Sequence, residues 1–125
     1  MIEKIIIITN NPLTKQNAEN RYTVEFIEGS TMDVYVRVRD YIHKGHRLLT
    51  HPLAGSVKPN ETPYRTVIIS ECKEDIIDYD SVNYIESAIH TTMKFIKMYK
   101  IPNWSENVLN DFQVIDYDLI EGILD

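Results

Sequence analysis

"GSTMDVYVRVRDYIHKG", residues 29–45, decides the fold. Read with a period of two, Val34, Val36 and Val38 alternate as in a strand. Read with a helical period, Val34, Tyr35, Val38, Tyr41 and Ile42 share one face. The ends favour the helix. Ser30 and Asp33 have the spacing of a capping box. His43 and Lys44 put positive charge where a helix C-terminus attracts it, and Gly45 can take the left-handed closing angle. A helix over residues 31–44 sets helices between strands, which makes the chain α/β.

Working outward, "KIIIIT" at residues 4–9 is β-branched and apolar without interruption, the pattern of a strand covered on both faces. Asn10, Asn11 and Pro12 end it, and the polar stretch after them is too short for a long helix. "TVEFIEG", residues 23–29, alternates and reads as a second strand. It pairs with the first in either direction, so a mixed or mostly parallel sheet is expected. If the 31–44 helix joins parallel strands, that crossover should be right-handed. "HRLLT" (46–50) and "RTVIIS" (65–70) read as further short strands. "SVNYIESAIHTTMKFIKMYK", residues 81–100, is the clearest helix: Val82, Ile85, Ala88, Ile89, Met93, Ile96 and Tyr99 recur at three and four residues. Its methionines and tyrosines are expected in the core. A short helix is expected to start near Ser105. Beyond it, Val114, Ile115, Leu119, Ile120, Ile123 and Leu124 need burial, on their own domain or against a second subunit.

The 125 residues contain no internal repeat and no dividing linker, so they read as one small α/β domain. Residues 101–125 form an acidic extension packed on that domain or on a partner subunit. Residues 1–100 hold all 13 Lys and Arg against 13 Asp and Glu, and the tail carries the whole net charge of −6. That balance lacks the basic footprint of a nucleic-acid binder. Lys44, Arg47, Lys58 and Arg65 form at most a local basic patch. With only four successive isoleucines and an acidic residue before them, the chain start lacks the basic start and long apolar run of a signal peptide, and no apolar run is long enough for a membrane span. Cys72 is the only cysteine, so no internal disulfide forms. The expectation is a soluble cytoplasmic protein without nucleic-acid or membrane partners.

Residues 40–70 hold three of the four histidines, three of the five prolines and two of the four glycines. Loops this long in compact domains are often functional. "TNNP" at 9–12 and "THP" at 50–52 end their strands alike. If those strands are parallel neighbours, Thr9, Asn10, Asn11, Thr50 and His51 meet at one sheet edge, where open α/β sheets gather ligands. The loop then adds Gly55, Ser56, Lys58, Asn60, Glu61 and Arg65. Gly55 and Ser56 offer amides and a hydroxyl, and Lys58 first and Arg65 second would hold a phosphate, sulfate or carboxylate. In the competing arrangement Arg65 pairs with Glu61 and no positive site stays vacant.

Other chemistry finds little support. Neither standard phosphate-binding glycine motif is present, and "AGSVK" is not a nucleophile elbow. His43, His46 and His51 have no cysteine partner and read as structural or exposed histidines, so no metal and no cofactor is expected. His51 either caps the loop or serves as an acid–base group.

"RDYIHKGHRLLTHPLAGSVKPNETPYR", residues 39–65, and "TNNP" strongly resemble the GrdX family, over most of residues 4 to about 97. The resemblance implies a setting: small proteins encoded beside glycine, sarcosine or betaine reductase genes of anaerobic, amino-acid-fermenting bacteria. It carries over no catalytic residue. Those reductases work with selenocysteine and thiols, and a single Cys72 outside any C-x-x-C does not resemble their redox components. Three readings follow. The first is a non-catalytic accessory or regulatory protein that binds a reductase component or small anionic metabolite through the 51–65 loop. The second is a small enzyme acting on a phosphorylated or carboxylated metabolite such as acetyl phosphate, with His51 as acid–base group. The third is a structural homodimeric module.

Overall fold

The computed structural model describes residues 4–54 and 58–124. The chain runs β1 (Ile5–Thr9), α1 (Pro12–Ala18), β2 (Thr23–Phe26), α2 (Thr31–His43), β3 (Thr66–Ser70), α3 (Tyr79–Met98) and α4 (Glu106–Leu124). The sheet order is β2-β1-β3, with β1 parallel to β2 and antiparallel to β3, so the sheet is mixed.

The isoleucine run works because the sheet is covered twice. Side chains alternate across a strand, so Ile6 and Ile8 join Val67 and Ile69 against α2 and α3. Ile5 and Ile7 join Ile68 against Ala18 of α1 and Ile120 and Leu124 of α4. Two cores back to back leave the central strand no polar face, and its burial is complete from Ile5 to Thr9.

The 29–45 stretch is helical. Val34, Tyr35, Val38 and Ile42 are buried together with Thr31, and both halves of the Ser30–Asp33 capping box form. Gly45 closes the helix at a φ of 110°.

The short stretch after Asn11 takes a definite form, and the expectations for the 46–50 segment change. The stretch after Asn11 is helix α1: Asn11 caps it by accepting from the Leu13 amide, and Pro12 occupies the first turn, where a missing N–H costs nothing. It is the crossover between parallel β1 and β2. "HRLLT" is not a full strand. It touches β3 through the single bridge Leu48–Ile69, with Leu49 N–H bonded to the Ile68 carbonyl. This segment runs parallel to β1, but β3 lies between them, so the two are not neighbours.

The tail is one 19-residue helix rather than a short one. Of its apolar residues, Ile120 and Leu124 are buried, while Val114, Ile115, Leu119 and Ile123 stay exposed. Helix α3 shows a similar division. Ile85, Ala88 and Ile89 are buried, but Met93, Ile96 and Tyr99, expected in the core, lie outside it. No helix is long and apolar enough to cross a membrane among the described residues.

Candidate functional site

The C-terminal end of β1 meets the N-terminal end of β3, with Thr9 opposite Thr66. Thr50 reaches the same end, where its Oγ1 accepts from the Ile68 amide. Helix α4 lies across this end of the sheet. Between α4, β3 and the 49–54 segment is a cavity of about 170 Å³, lined by Leu49, Thr50, His51, Ala54, Arg65, Thr66, Asp116, Leu119, Ile120 and Ile123.

Its charged residues are unusual in their burial. Arg65 is 5% exposed and Asp116 6% exposed. Arg65 Nη1 donates to the Ala54 carbonyl, and its guanidinium also lies against the Tyr35 hydroxyl. Burial pushes the Tyr35 phenol up, and Arg65 opposes that rise. Among the described residues no carboxylate oxygen lies within the 4.0 Å ion-pair distance of Arg65, neither Glu61 nor Asp116.

The side chains that anchor Asp116 hold one of its two oxygens. Its Oδ2 accepts from Thr66 Oγ1 at 2.6 Å and from Asn11 Nδ2 at 2.9 Å. Thr66 Oγ1 is in turn 2.7 Å from Thr9 Oγ1, which sits 3.1 Å from the Arg65 carbonyl. This is a chain of hydroxyls whose direction depends on one proton. With Asp116 ionised, Thr9 donates to Thr66 and Thr66 to Asp116, and the Arg65 carbonyl keeps only the Asn10 amide at 3.3 Å. With Asp116 protonated, the donors run the other way, from Asp116 through Thr66 and Thr9 to that carbonyl, and every link is satisfied. Burial raises the Asp116 pKa, against the Thr66 and Asn11 bonds that hold it down.

A pH dependence follows. A carboxyl whose folded pKa lies above its unfolded value binds its proton more tightly in the folded state. The resulting stability is fully present below the ordinary aspartate range and is lost as pH rises through the elevated folded value. Asp116→Asn keeps an oxygen for Thr66 and Asn11 and removes the buried charge. Its expected melting temperature at pH 7 is a few degrees above wild type, with the gap closing as pH falls towards 4. A gap independent of pH would contradict the assignment.

The residues singled out in the sequence are distributed as follows. Thr9, Asn10 and Asn11 are buried and fully engaged inside the fold. Asn10 Nδ2 donates to the Gly29 and Pro63 carbonyls, and its Oδ1 accepts from the Arg65 amide. His51 is exposed at the cavity rim, its Nδ1 accepting from the Leu53 amide and its ring edge-on to Tyr84. Gly55 and Ser56 lie outside the described residues. Lys58 is exposed, with Nζ 5.9 Å from the Tyr99 ring centre. Asn60 is buried and donates to the Lys100 carbonyl, while the Glu61 carbonyl accepts from Trp104 Nε1. These last two line a second hollow with Ile101, Pro102 and Trp104. Arg65 and His51 therefore meet in the first cavity, and the 58–61 segment faces elsewhere. His46 is buried against the Ser70 carbonyl at 2.7 Å, and among the described residues no three His, Cys, Asp or Glu converge as metal ligands.

Asp116 and the α4 wall escaped the sequence reading. A signal for Asp116 exists: residues 116, 120 and 124 are spaced by four, and an acid in register with buried Ile120 and Leu124 must point inward. In a tail with six acids and no base, nothing but that spacing sets Asp116 apart from the other acids.

A family model described as GrdX-like protein matches residues 6–125. No curated protein and no solved structure matches.

Proposed function

The chain belongs to the GrdX-like family, and from that premise we propose an accessory or regulatory protein of a glycine, sarcosine or betaine reductase system that binds a small anionic metabolite in the α4-covered cavity. One observation carries the proposal: Arg65 is a buried cation at the cavity with no carboxylate at ion-pair distance among the described residues. A buried charge without a partner is costly, and an incoming anion relieves that cost. The planar guanidinium fork suits a carboxylate or phosphate. The Ala54 and Tyr35 contacts fix the fork before a ligand arrives, which lowers the entropy lost on binding. Of the loop residues, His51 and Arg65 support this site, with Arg65 ahead of Lys58.

Calorimetric titration of inorganic phosphate and short-chain carboxylates at low salt tests the reading. Arg65→Met is expected to weaken binding about ten- to a hundredfold, the loss of one charge-assisted contact of roughly 1.5–3 kcal/mol. Arg65→Lys, which keeps the charge but loses the fork, should fall between. Equal affinity in all three proteins, or no binding by wild type, would overturn it.

His51 favours a second, catalytic reading. With Nδ1 accepting from Leu53, a neutral ring carries its proton on Nε2, the arrangement of a general acid at the cavity rim. Acetyl phosphate turnover that disappears in His51→Ala would support it; stable acetyl phosphate would leave the binding reading in place.

A further inference from the structure

We infer that the cavity takes a zwitterion, a small α-amino acid with an aliphatic side chain, with its carboxylate on Arg65 and its ammonium on Asp116. This rests on the reading that Arg65 receives an anion. It goes further in using the second charge.

Arg65 and Asp116 line the same cavity, are both more than nine-tenths buried, and do not pair with each other at ion-pair distance. A simple anion on Arg65 would leave Asp116 uncompensated and would stand close to a like charge. A simple cation on Asp116 would do the same to Arg65. A molecule carrying both charges compensates both at once. Asp116 has the capacity for this. The Thr66 and Asn11 side chains both bond Oδ2, the Thr66 amide also helps to hold the carboxylate, and among the described residues no side chain bonds Oδ1, which is not one of the sealed polar atoms. An ammonium at Oδ1 would also stabilise the ionised carboxylate that burial disfavours.

Size and wall select within the class. About 170 Å³ is well below the roughly 300–1,000 Å³ of drug-sized sites, which excludes nucleotides and peptides and leaves room for a leucine-sized molecule. Leu49, Leu119, Ile120 and Ile123 give the side chain an apolar wall. Glycine has no side chain to bury there and is the weaker ligand.

The test compares L-leucine with glycine, with isocaproate (leucine without its amino group) and with isoamylamine (leucine without its carboxylate), by calorimetry at low salt and pH 7. Wild type is expected to bind leucine at least tenfold more tightly than the other three. Asp116→Asn should bring leucine down to the isocaproate affinity while the protein melts higher than wild type. A merely structural aspartate would not change the leucine-to-isocaproate ratio. If isocaproate matches leucine in wild type, the zwitterion is wrong and the anion reading stands. If the leucine preference survives Asp116→Asn, Asp116 is not the ammonium partner and the inference fails. If leucine, isocaproate and phosphate all fail to bind, both readings fail.

Discussion

Asn10→Ala is expected to lower folding stability by about 3–5 kcal/mol, out of the roughly 5–15 kcal/mol that holds a domain together. Asn10 is 5% exposed and joins three parts of the chain. Its Nδ2 bonds the Gly29 carbonyl before α2 and the Pro63 carbonyl late in the long loop, each at 3.0 Å. Its Oδ1 bonds the Arg65 amide at 2.8 Å. Alanine leaves two carbonyls and one amide without these partners, and each unsatisfied buried group costs about 1–3 kcal/mol. Water entering the gap and the 3.3 Å bond already present between the Asn10 amide and the Arg65 carbonyl hold the sum below the maximum. Asn10→Asp should be worse than alanine at neutral pH, because a carboxylate oxygen would then face two carbonyls. Urea unfolding should show a lower midpoint with an unchanged slope. A loss below about 1 kcal/mol would mean that Asn10 is not the clamp described.

The same residue shows what the sequence makes legible. "TNNP" marks a strand end and points to special chemistry there, but the partners of Asn10 are backbone groups far along the chain, and no spacing rule gives their position. The elements read correctly are those whose signals are local: the isoleucine run, the Ser30–Asp33 box, the Gly45 stop. Helix α4 was underestimated for the opposite reason. Its acids have no basic partner four residues away and Gly122 interrupts it, so local propensity is weak. Its order comes from tertiary contacts: buried Ile120 and Leu124, the Asp116 bonds, and the Asn11 bond to the Gln113 carbonyl. The candidate site inherits that difficulty. Arg65 and His51 come from the conspicuous loop, but Asp116 and the apolar wall come from the tail, more than fifty positions away from Arg65 in the chain by the Thr66–Asp116 separation of 50 and one residue more. "HRLLT" failed as a full strand because edge pairing to β3 is made partly by side chains, with Thr50 and Ser70 hydroxyls accepting from the Ile68 and Arg47 amides.

Gly45→Ala is expected to cost about 3–4 kcal/mol. At a φ of 110° the backbone is outside the range that L side chains readily adopt, which alone costs roughly 1–3 kcal/mol. Space is shorter still. A Cβ on Gly45 would stand 2.3 Å from the Glu74 carbonyl oxygen and 3.1 Å from its nitrogen. Both neighbours are backbone, so no side chain can rotate away, and the Glu74 amide is bonded to the Gly45 carbonyl at 3.0 Å. Relief requires moving the 74 segment or unwinding the end of α2. Either would disturb the buried His46 bond to Ser70 and the core beneath Ile42. Gly122→Ala is the matched control: it is helical, nothing lies within 4 Å of its Cβ position, and alanine there should gain about 0.5–1 kcal/mol. Thermal melts of the two variants should therefore move in opposite directions from wild type. An alanine at 45 that melts within a degree or two of wild type would show that the α2 stop does not need its glycine.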